Sequence, residues 1–279
     1  MSQVGTSTAP AASSAVPRVE GNMKSKVSAL FCLVGLACLL DIPIACGAQE
    51  VHPLHWGYSG HASPKDWGKL DPNFAACAKG THQSPIDVET KSLHPVDLPP
   101  LQFNYNPVPL SVIDNGHTVM VNYAPGSTLV VGDHTYTLQQ FHFHHPSEDY
   151  INGKSYPLEA HLVHQDADGH LAVVAVVFET GRSNPVIDSV WQYVPKVKEK
   201  TAEVASVSVN VKDMLSENHS YVTYAGSLTT PPCTEGVTWY LLRTPAHLSD
   251  AQLKTFAKLY PRDNRPIQPL NHRTIQESN

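Results

Sequence analysis

The sequence predicts a mainly β protein of the α+β kind, a single domain with one large sheet and short helices at its periphery. Three observations carry that expectation. Runs of β-branched and alternating residues recur from about Val51 onward: LSVIDNGHTVMVNY, STLVVGDHTYTLQQFHFH, PLEAHLVHQ, HLAVVAVVFE and GVTWYLL. Turn signals separate them, among them Asp114-Asn115-Gly116, Ala124-Pro125-Gly126 and Asp168-Gly169. Helical patterns are few, and 23 prolines and 16 glycines leave little room for long ones. The two best are Asn184–Val194 and Leu248–Tyr260, with Ser249 as the cap of the second.

The chain opens differently. Residues 1–22 are small and polar, with no period. Met23-Lys24-Ser25-Lys26 then leads into an apolar run, Val27–Leu40, which Asp41 and Pro43 end. A basic start, a short apolar stretch and the small exit Cys46-Gly47-Ala48 read as a secretory signal starting at Met23, with Gln49 as the new N-terminus. The run is 14 residues, short for a membrane span. We therefore expect residues 1–48 to be an N-terminal extension and signal peptide. Residues 49–279 form the single domain, exported to the periplasm and touching a membrane only through the leader. An uncleaved anchor, lipidation at Cys46 and full secretion are the alternatives.

Three of the five cysteines, Cys32, Cys38 and Cys46, fall in that leader. The remaining pair, Cys77 and Cys233, suggests a disulfide in an exported protein; two buried free thiols are the alternative. The formal charge is −6 and no basic cluster appears, which argues against nucleic-acid partners. No internal repeat or linker interrupts the domain. HLAVVAVVFE (His170–Glu179) is continuously apolar rather than alternating, so it belongs in the middle of the sheet with both faces covered.

The stretch QFHFHHPSED, Gln140–Asp149, carries the chemistry. Side chains two apart on a strand share a face, so Gln140, His142 and His144 point one way and Phe141, Phe143 and His145 the other. Two imidazoles so placed make a chelate. PLEAHLVH supplies Glu159 and His161 on one face of another strand, with His164 opposite. Three neutral imidazoles with a fourth position open are the ligand set of a catalytic Zn²⁺. Thiolates, usual at a structural zinc, are already taken if Cys77 and Cys233 pair. Gln140 and Glu159, each two residues before a ligand, are placed to orient its ring. Read alone, any one His-x-His on a strand is more often an ordinary surface or core feature than a ligand.

HWGYSG (His55–Gly60), QSPID (Gln83–Asp87), NGH (Asn115–His117), QFHFH, PSE, EAHLVH, GSLTTPPCTEGVTW (Gly226–Trp239) and RPIQPLN (Arg265–Asn271) together resemble the α-class carbonic anhydrases, in order, over nearly all of residues 52–273. The leader and the Cys77/Cys233 pair look like the bacterial, exported branch. The resemblance implies a twisted, mostly antiparallel sheet of about ten strands with zinc at the bottom of a conical cleft. It implies reversible hydration of CO₂ to bicarbonate and a proton by a zinc-bound hydroxide.

Residue by residue, the resemblance makes His142, His144 and His161 the zinc ligands. It makes Thr229 the hydroxyl that orients the nucleophile by donating to Glu148. His117 becomes the proton shuttle, a role suited to an imidazole titrating near neutrality. Tyr58 and Asn115 order the waters of the proton path. Val163, Val173, Leu228, Thr230, Val237 and Trp239 line the substrate pocket. The small molecules CO₂ and bicarbonate are the expected partners, and a homodimer is possible because exported bacterial relatives often pair.

Three positions depart from the family pattern: Met120, where a polar amide is usual, Asp149, where a histidine is common, and His145. We expect none of the three to touch the ligands, Thr229 or Glu148. Two other functions compete. A silent recognition module would lack a ligand histidine, and none is lacking. A zinc buffer would carry histidine tracts, whereas these 16 histidines are dispersed apart from residues 142–145.

Overall fold

The computed structural model describes residues 55–93 and 95–279. The expected leader and its cleavage site lie outside the described residues. Among the described residues no helix is long and apolar enough to cross a membrane.

Among the described residues fifteen strands follow one another: β1 (Asp87–Val88), β2 (Pro95–Val96), β3 (Gln102–Asn104), β4 (Val108–Asp114), β5 (Val119–Asn122), β6 (Thr128–Val131), β7 (His134–His144), β8 (Tyr150–Ile151), β9 (Leu158–Gln165), β10 (Leu171–Thr180), β11 (Thr201–Val209), β12 (Tyr221–Ser227), β13 (Glu235–Leu242), β14 (Ala246–Leu248) and β15 (Gln276–Ser278). Thirteen of them form one sheet. Its main path runs β11-β4-β5-β7-β9-β10-β13-β12-β15-β2, with β14, β3 and β6 attached at the side. Among the described residues, its only parallel pairings are β10 with β13, β10 with β14, and β15 with β2. The sheet is therefore mostly antiparallel, as the resemblance implies, with ten strands along the path and three beside it.

β10 holds the middle, as its unbroken apolar run predicts. Ala172, Val174, Val176 and Phe178 enter the core on one face. Val173, Ala175 and Val177 enter a second core on the other. Two short helices of four residues, α1 (Trp67–Leu70) and α2 (Ala76–Lys79), precede the sheet. The two longer helices are those the sequence predicts, α3 (Pro185–Tyr193) and α4 (Asp250–Leu259). Asn184 caps α3 by accepting from the amides of Val186 and Ile187, with Pro185 at the first position. Ser249 caps α4 in a reciprocal box with Gln252. Gln252 also exchanges hydrogen bonds with the Asn184 backbone, so one side chain ties both helix starts together.

This packing orients β7. Phe143 meets Trp191 of α3 and Phe256 of α4 at 4.7 Å and 6.1 Å between ring centroids. Phe141 and Phe143 are fully buried under the helices, so His142 and His144 face the opposite side. β7 ends at His144, so His145 lies beyond the strand. Its Nδ1 pairs with the carbonyl of Pro157, and its amide donates to Asp263 Oδ1.

Cys77, in α2, is bonded to Cys233, in the loop that follows β12, across 156 residues of sequence. Closing so long a loop restricts the unfolded chain by at most about 5 kcal/mol. Reduction, or Cys77→Ser with Cys233→Ser, should lower the melting temperature by about 10 °C. Scanning calorimetry with and without reductant reads this directly, and superimposable melts would show the bridge adds nothing.

Candidate metal centre and its cleft

The pairing of β7 with β9 sets His142 directly opposite His161, and His144 opposite Glu159. The three imidazoles converge, with ring centroids 5.0, 5.3 and 4.7 Å apart. One nitrogen from each lies within 4.8 Å of the others.

The second nitrogen of two of the rings is held by an oxygen. His142 Nδ1 pairs with Gln140 Oε1 at 2.8 Å, and His144 Nδ1 with the Asp263 carbonyl at 2.8 Å. Both acceptors are oxygens, so each Nδ1 carries the proton and each Nε2 offers a lone pair. His161 Nε2 lies 3.4 Å from Glu159 Oε1, close but short of a good hydrogen bond, and its Nδ1 faces Glu148 at 4.0 Å. Burial first, and the neighbouring imidazoles after it, push His142 and His161 well below the usual histidine range. His144 is lowered by burial too. All three are neutral at pH 7, which is what metal ligation requires.

Acids surround these rings. Glu148 is fully buried. Its Oε1 accepts the Arg265 amide at 2.7 Å, and its Oε2 sits 3.7 Å from His144 Nε2. Burial pushes its pKa up to about 8, against the pull of the Arg265 amide and the Thr229 hydroxyl. Thr229 is near enough to favour the ionised form, yet Oε2 has no hydrogen bond of good geometry. Glu159 Oε2 accepts the amides of Glu148 and Asp149 at 2.6 and 2.9 Å. Burial raises Glu159 to about 7 and lifts Asp149 and Asp263 well above the carboxylate range.

The residues present fit a divalent cation. His144 Nε2, His161 Nε2, Glu148 Oε2 and Glu159 Oε1 are all buried without a hydrogen-bond partner. Orphaned buried polar atoms are rare, and carboxyls forced towards the neutral form signal missing positive charge. A cation among the three imidazoles supplies that charge and gives the His144 Nε2 lone pair a partner.

One expectation needs correction. Asp149 does not stand apart from the ligands. Its carboxylate lies within 4.8 Å of Glu159 and of a His161 ring nitrogen. Its Oδ1 accepts the Ile86 amide and the Tyr224 hydroxyl, fixing it behind His161. Met120 pairs across the sheet with His142 and lines the cleft.

The cleft, a cavity of about 140 Å³, brings together Tyr58, Asn115, His117, Gln140, His142, His144 and Thr230. Asn115 Oδ1 accepts the amides of His117 and Thr118, a turn that Gly116 completes at φ +86°. Burial, with Glu148 and Asp263 nearby, keeps the Tyr58 phenol protonated. Val173, Val237 and Trp239 belong to the second apolar core, with Val163 and Leu228 packed against it. Trp239 meets His161 edge-on at 4.9 Å and donates its indole N–H to the Ser227 carbonyl.

His117 differs from expectation. It is half-buried and lies flat on Trp56, centroids 3.6 Å apart and planes 7° from parallel. Burial, then His55 and Lys198, push its pKa down to about 4. Sequence reasoning also gave no role to Trp56, Asp263 or Arg265. The Arg265 guanidinium donates to the carbonyls of Ser84 and Cys77, tying the Glu148 backing to the disulfide. RPIQPLN contains Arg265, but nothing in that motif says where its side chain goes.

A large, mostly antiparallel sheet whose neighbouring strands converge three imidazoles at a cleft marks a lyase of the carbonic anhydrase class. The chain belongs to the eukaryotic-type carbonic anhydrase family, whose model matches residues 62–279. It is 42% identical to a carbonic anhydrase of Pectobacterium carotovorum over 241 residues, 86% of this chain and 98% of that one. It is 44% identical to one from Neisseria gonorrhoeae, over 86% of this chain and 94% of that one. Among solved structures it resembles the α-carbonic anhydrase of Thermovibrio ammonificans in complex with sulfanilamide. There the TM-score is 0.77 and the identity 40%, covering 80% of this chain and 99% of that one. Family and structure together support hydration of carbon dioxide.

The buried groups set a pH dependence. Histidines depressed below 6.5, such as His164 at about 4, bind more protons unfolded than folded, so their contribution rises with pH and is complete above about 6.5. Glu148 and Glu159, raised from 4.5 to about 8 and about 7, bind more protons folded. Their contribution falls as pH rises through that window. Above pH 6.5 only the acids still change. Metal-free protein should therefore melt at falling temperature from pH 6.5 to about 8.5, and reloading zinc should flatten the slope. Calorimetry on chelated and reloaded samples decides; a flat metal-free profile would mean these carboxyls are not held protonated.

Proposed function

We propose that this chain is a zinc enzyme that reversibly hydrates CO₂ to bicarbonate and a proton, with a histidine moving the proton to solvent. The observation that carries the reading is the convergence of His142, His144 and His161 on a common point, with the other nitrogen of His142 and of His144 hydrogen-bonded behind it and that of His161 3.4 Å from Glu159. His142 Nε2, His144 Nε2 and His161 Nδ1 would hold the ion. When bound, Zn²⁺ acts as a Lewis acid that brings the pKa of water to roughly 7 and so supplies a nucleophile at neutral pH.

The chain's own residues do the rest. Gln140, Glu159 and the Asp263 carbonyl fix ring orientation and leave the ligand nitrogens basic. Glu148, anchored by the Arg265 amide, accepts a hydrogen bond from the Thr229 hydroxyl. A hydroxyl donates once, so the Thr229 lone pairs are left to accept from the nucleophile and aim it. Val163, Val173, Leu228, Val237 and Trp239 exclude water and give apolar CO₂ a matching wall, with Thr230 at its polar edge. Tyr58 and Asn115 order the waters between this floor and His117.

On Trp56 the His117 ring is a poor base. Leaving that stack removes the burial that holds it near 4, and it can then accept a proton near neutrality. We place the protein outside the cytoplasm, most simply in the periplasm. The Cys77–Cys233 bridge supports this, because disulfides persist in oxidising compartments.

His142→Ala should remove bound zinc and CO₂ hydration together, read by metal analysis and stopped-flow on one sample. Retained activity with zinc bound would refute the ligand assignment. Glu159→Ala should keep the fold but weaken zinc about 10- to 100-fold in competition with a chelator. His117→Ala should lower kcat about 10-fold in weak buffer, with kcat/KM unchanged and imidazole buffer restoring part of the rate.

A further inference from the structure

Met120 lines the cleft beside Trp56, Tyr58, Asn115, His117 and His142. It is half-buried, whereas Met214, the other methionine of the described residues, is 1% exposed. The two cysteines of those residues are bonded to each other and offer no thiol. Among the described residues Met120 is therefore the one readily oxidised sulfur that solvent reaches. The cavity of about 140 Å³ in front of it has room for hydrogen peroxide, a molecule little larger than water. We propose that Met120 is an oxidation site: hydrogen peroxide entering the cleft converts its thioether to the sulfoxide, and the new oxygen speeds the proton's way out. The second half rests on the reading of ordered waters and His117 as the proton path.

The step balances with peroxide as the sole oxidant. A lone pair of the Met120 sulfur attacks one peroxide oxygen. An S–O bond forms as the O–O bond breaks, and the departing oxygen leaves as hydroxide with both bonding electrons. It takes up the proton that the transferred oxygen releases. Sulfur loses two electrons, and the peroxide ends as one sulfoxide oxygen and one water.

The surroundings give that oxygen something to do. Met120 pairs with His142 across β5 and β7, so its side chain shares the sheet face of the ligand rings. The amide oxygens lining this cleft are already engaged. Gln140 Oε1 pairs with His142 Nδ1, and Asn115 Oδ1 accepts the amides of His117 and Thr118. A thioether is a weak acceptor and leaves nearby waters without a hold. A sulfoxide oxygen is a strong one, and it anchors a water between the three imidazoles and His117.

Zinc-loaded, full-length protein is treated with hydrogen peroxide, digested and weighed by mass spectrometry. The peptide carrying Met120 should gain one oxygen while the peptide carrying Met214 stays unmodified, with the circular dichroism unchanged. In urea-unfolded protein the two should oxidise at the same rate, because burial sets the selectivity. In weak buffer the oxidised enzyme should show a kcat about 2-fold above the untreated one, with kcat/KM unchanged because the hydration step is untouched. Met120→Gln, which puts an amide oxygen in the same place, should show the raised kcat without peroxide. Met120→Leu should have the same kcat before and after treatment, which discounts oxidation elsewhere in the chain.

A Met120 that oxidises no faster than Met214 in the folded protein overturns the proposal. So does a kcat that is unchanged or lowered once Met120 carries the oxygen, where His117→Ala is slow. If His117→Ala is itself without effect, the proton-path reading falls, whereas the oxygen on Met120 is read by mass alone, which separates the two failures.

Discussion

The register between β7 and β9 is the constraint on which the rest of this protein depends. Side chains alternate along a strand, so a slip of one residue would turn His142 and His144 into the helix-covered core and bring Phe141 and Phe143 to the cleft. The phenylalanines prevent it. Phe143 packs against Trp191 and Phe256, and Phe141 against Phe143 and Tyr123, which fixes which face is which, and the pairing of His142 with His161 follows. A greasy contact on one side of the sheet thus positions polar chemistry on the other. Placing imidazoles beside phenylalanines is costly only if they share a face, and here they do not.

The second constraint is charge. Four buried carboxyls, Glu148, Asp149, Glu159 and Asp263, gather round three neutral rings, with the Arg265 guanidinium turned towards the Ser84 and Cys77 carbonyls. A cluster of that kind is unstable unless protons or a cation compensate it. Protons do so when Glu148 and Glu159 are raised to about 8 and about 7. A divalent ion does so without demanding those protons, and it gives the orphaned His144 Nε2 a partner. Metal affinity and the misfit of the metal-free state are thus two views of one electrostatic arrangement.

Much of this was legible in the sequence because it is local. Alternation in QFHFH, the apolar run of HLAVVAVVFE and the cap at Ser249 each need only a few neighbouring residues to declare themselves. The pairing of Cys77 with Cys233 followed from arithmetic. What was hidden depends on chain segments that meet only in space. The Asp263 carbonyl reaches His144 across 119 residues, and the Arg265 amide reaches Glu148 across 117. No spacing rule anticipates a backbone group. Asp149 misled for a related reason: it follows Glu148 in sequence, but the turn after β7 swings its carboxylate behind His161.

His117 shows how burial alters a role that residue type alone suggests. As a histidine after Asn-Gly it reads as an exposed group titrating near neutrality. Stacked on Trp56 it is half-covered, and desolvation penalises only its charged form. The Asn115 turn pins its backbone, and the Trp56 stack holds the ring. A group that must both accept and release a proton benefits from two environments of different basicity. In the proposed shuttle role, leaving the Trp56 shelf for the cleft would give the imidazole the second environment without moving the sheet.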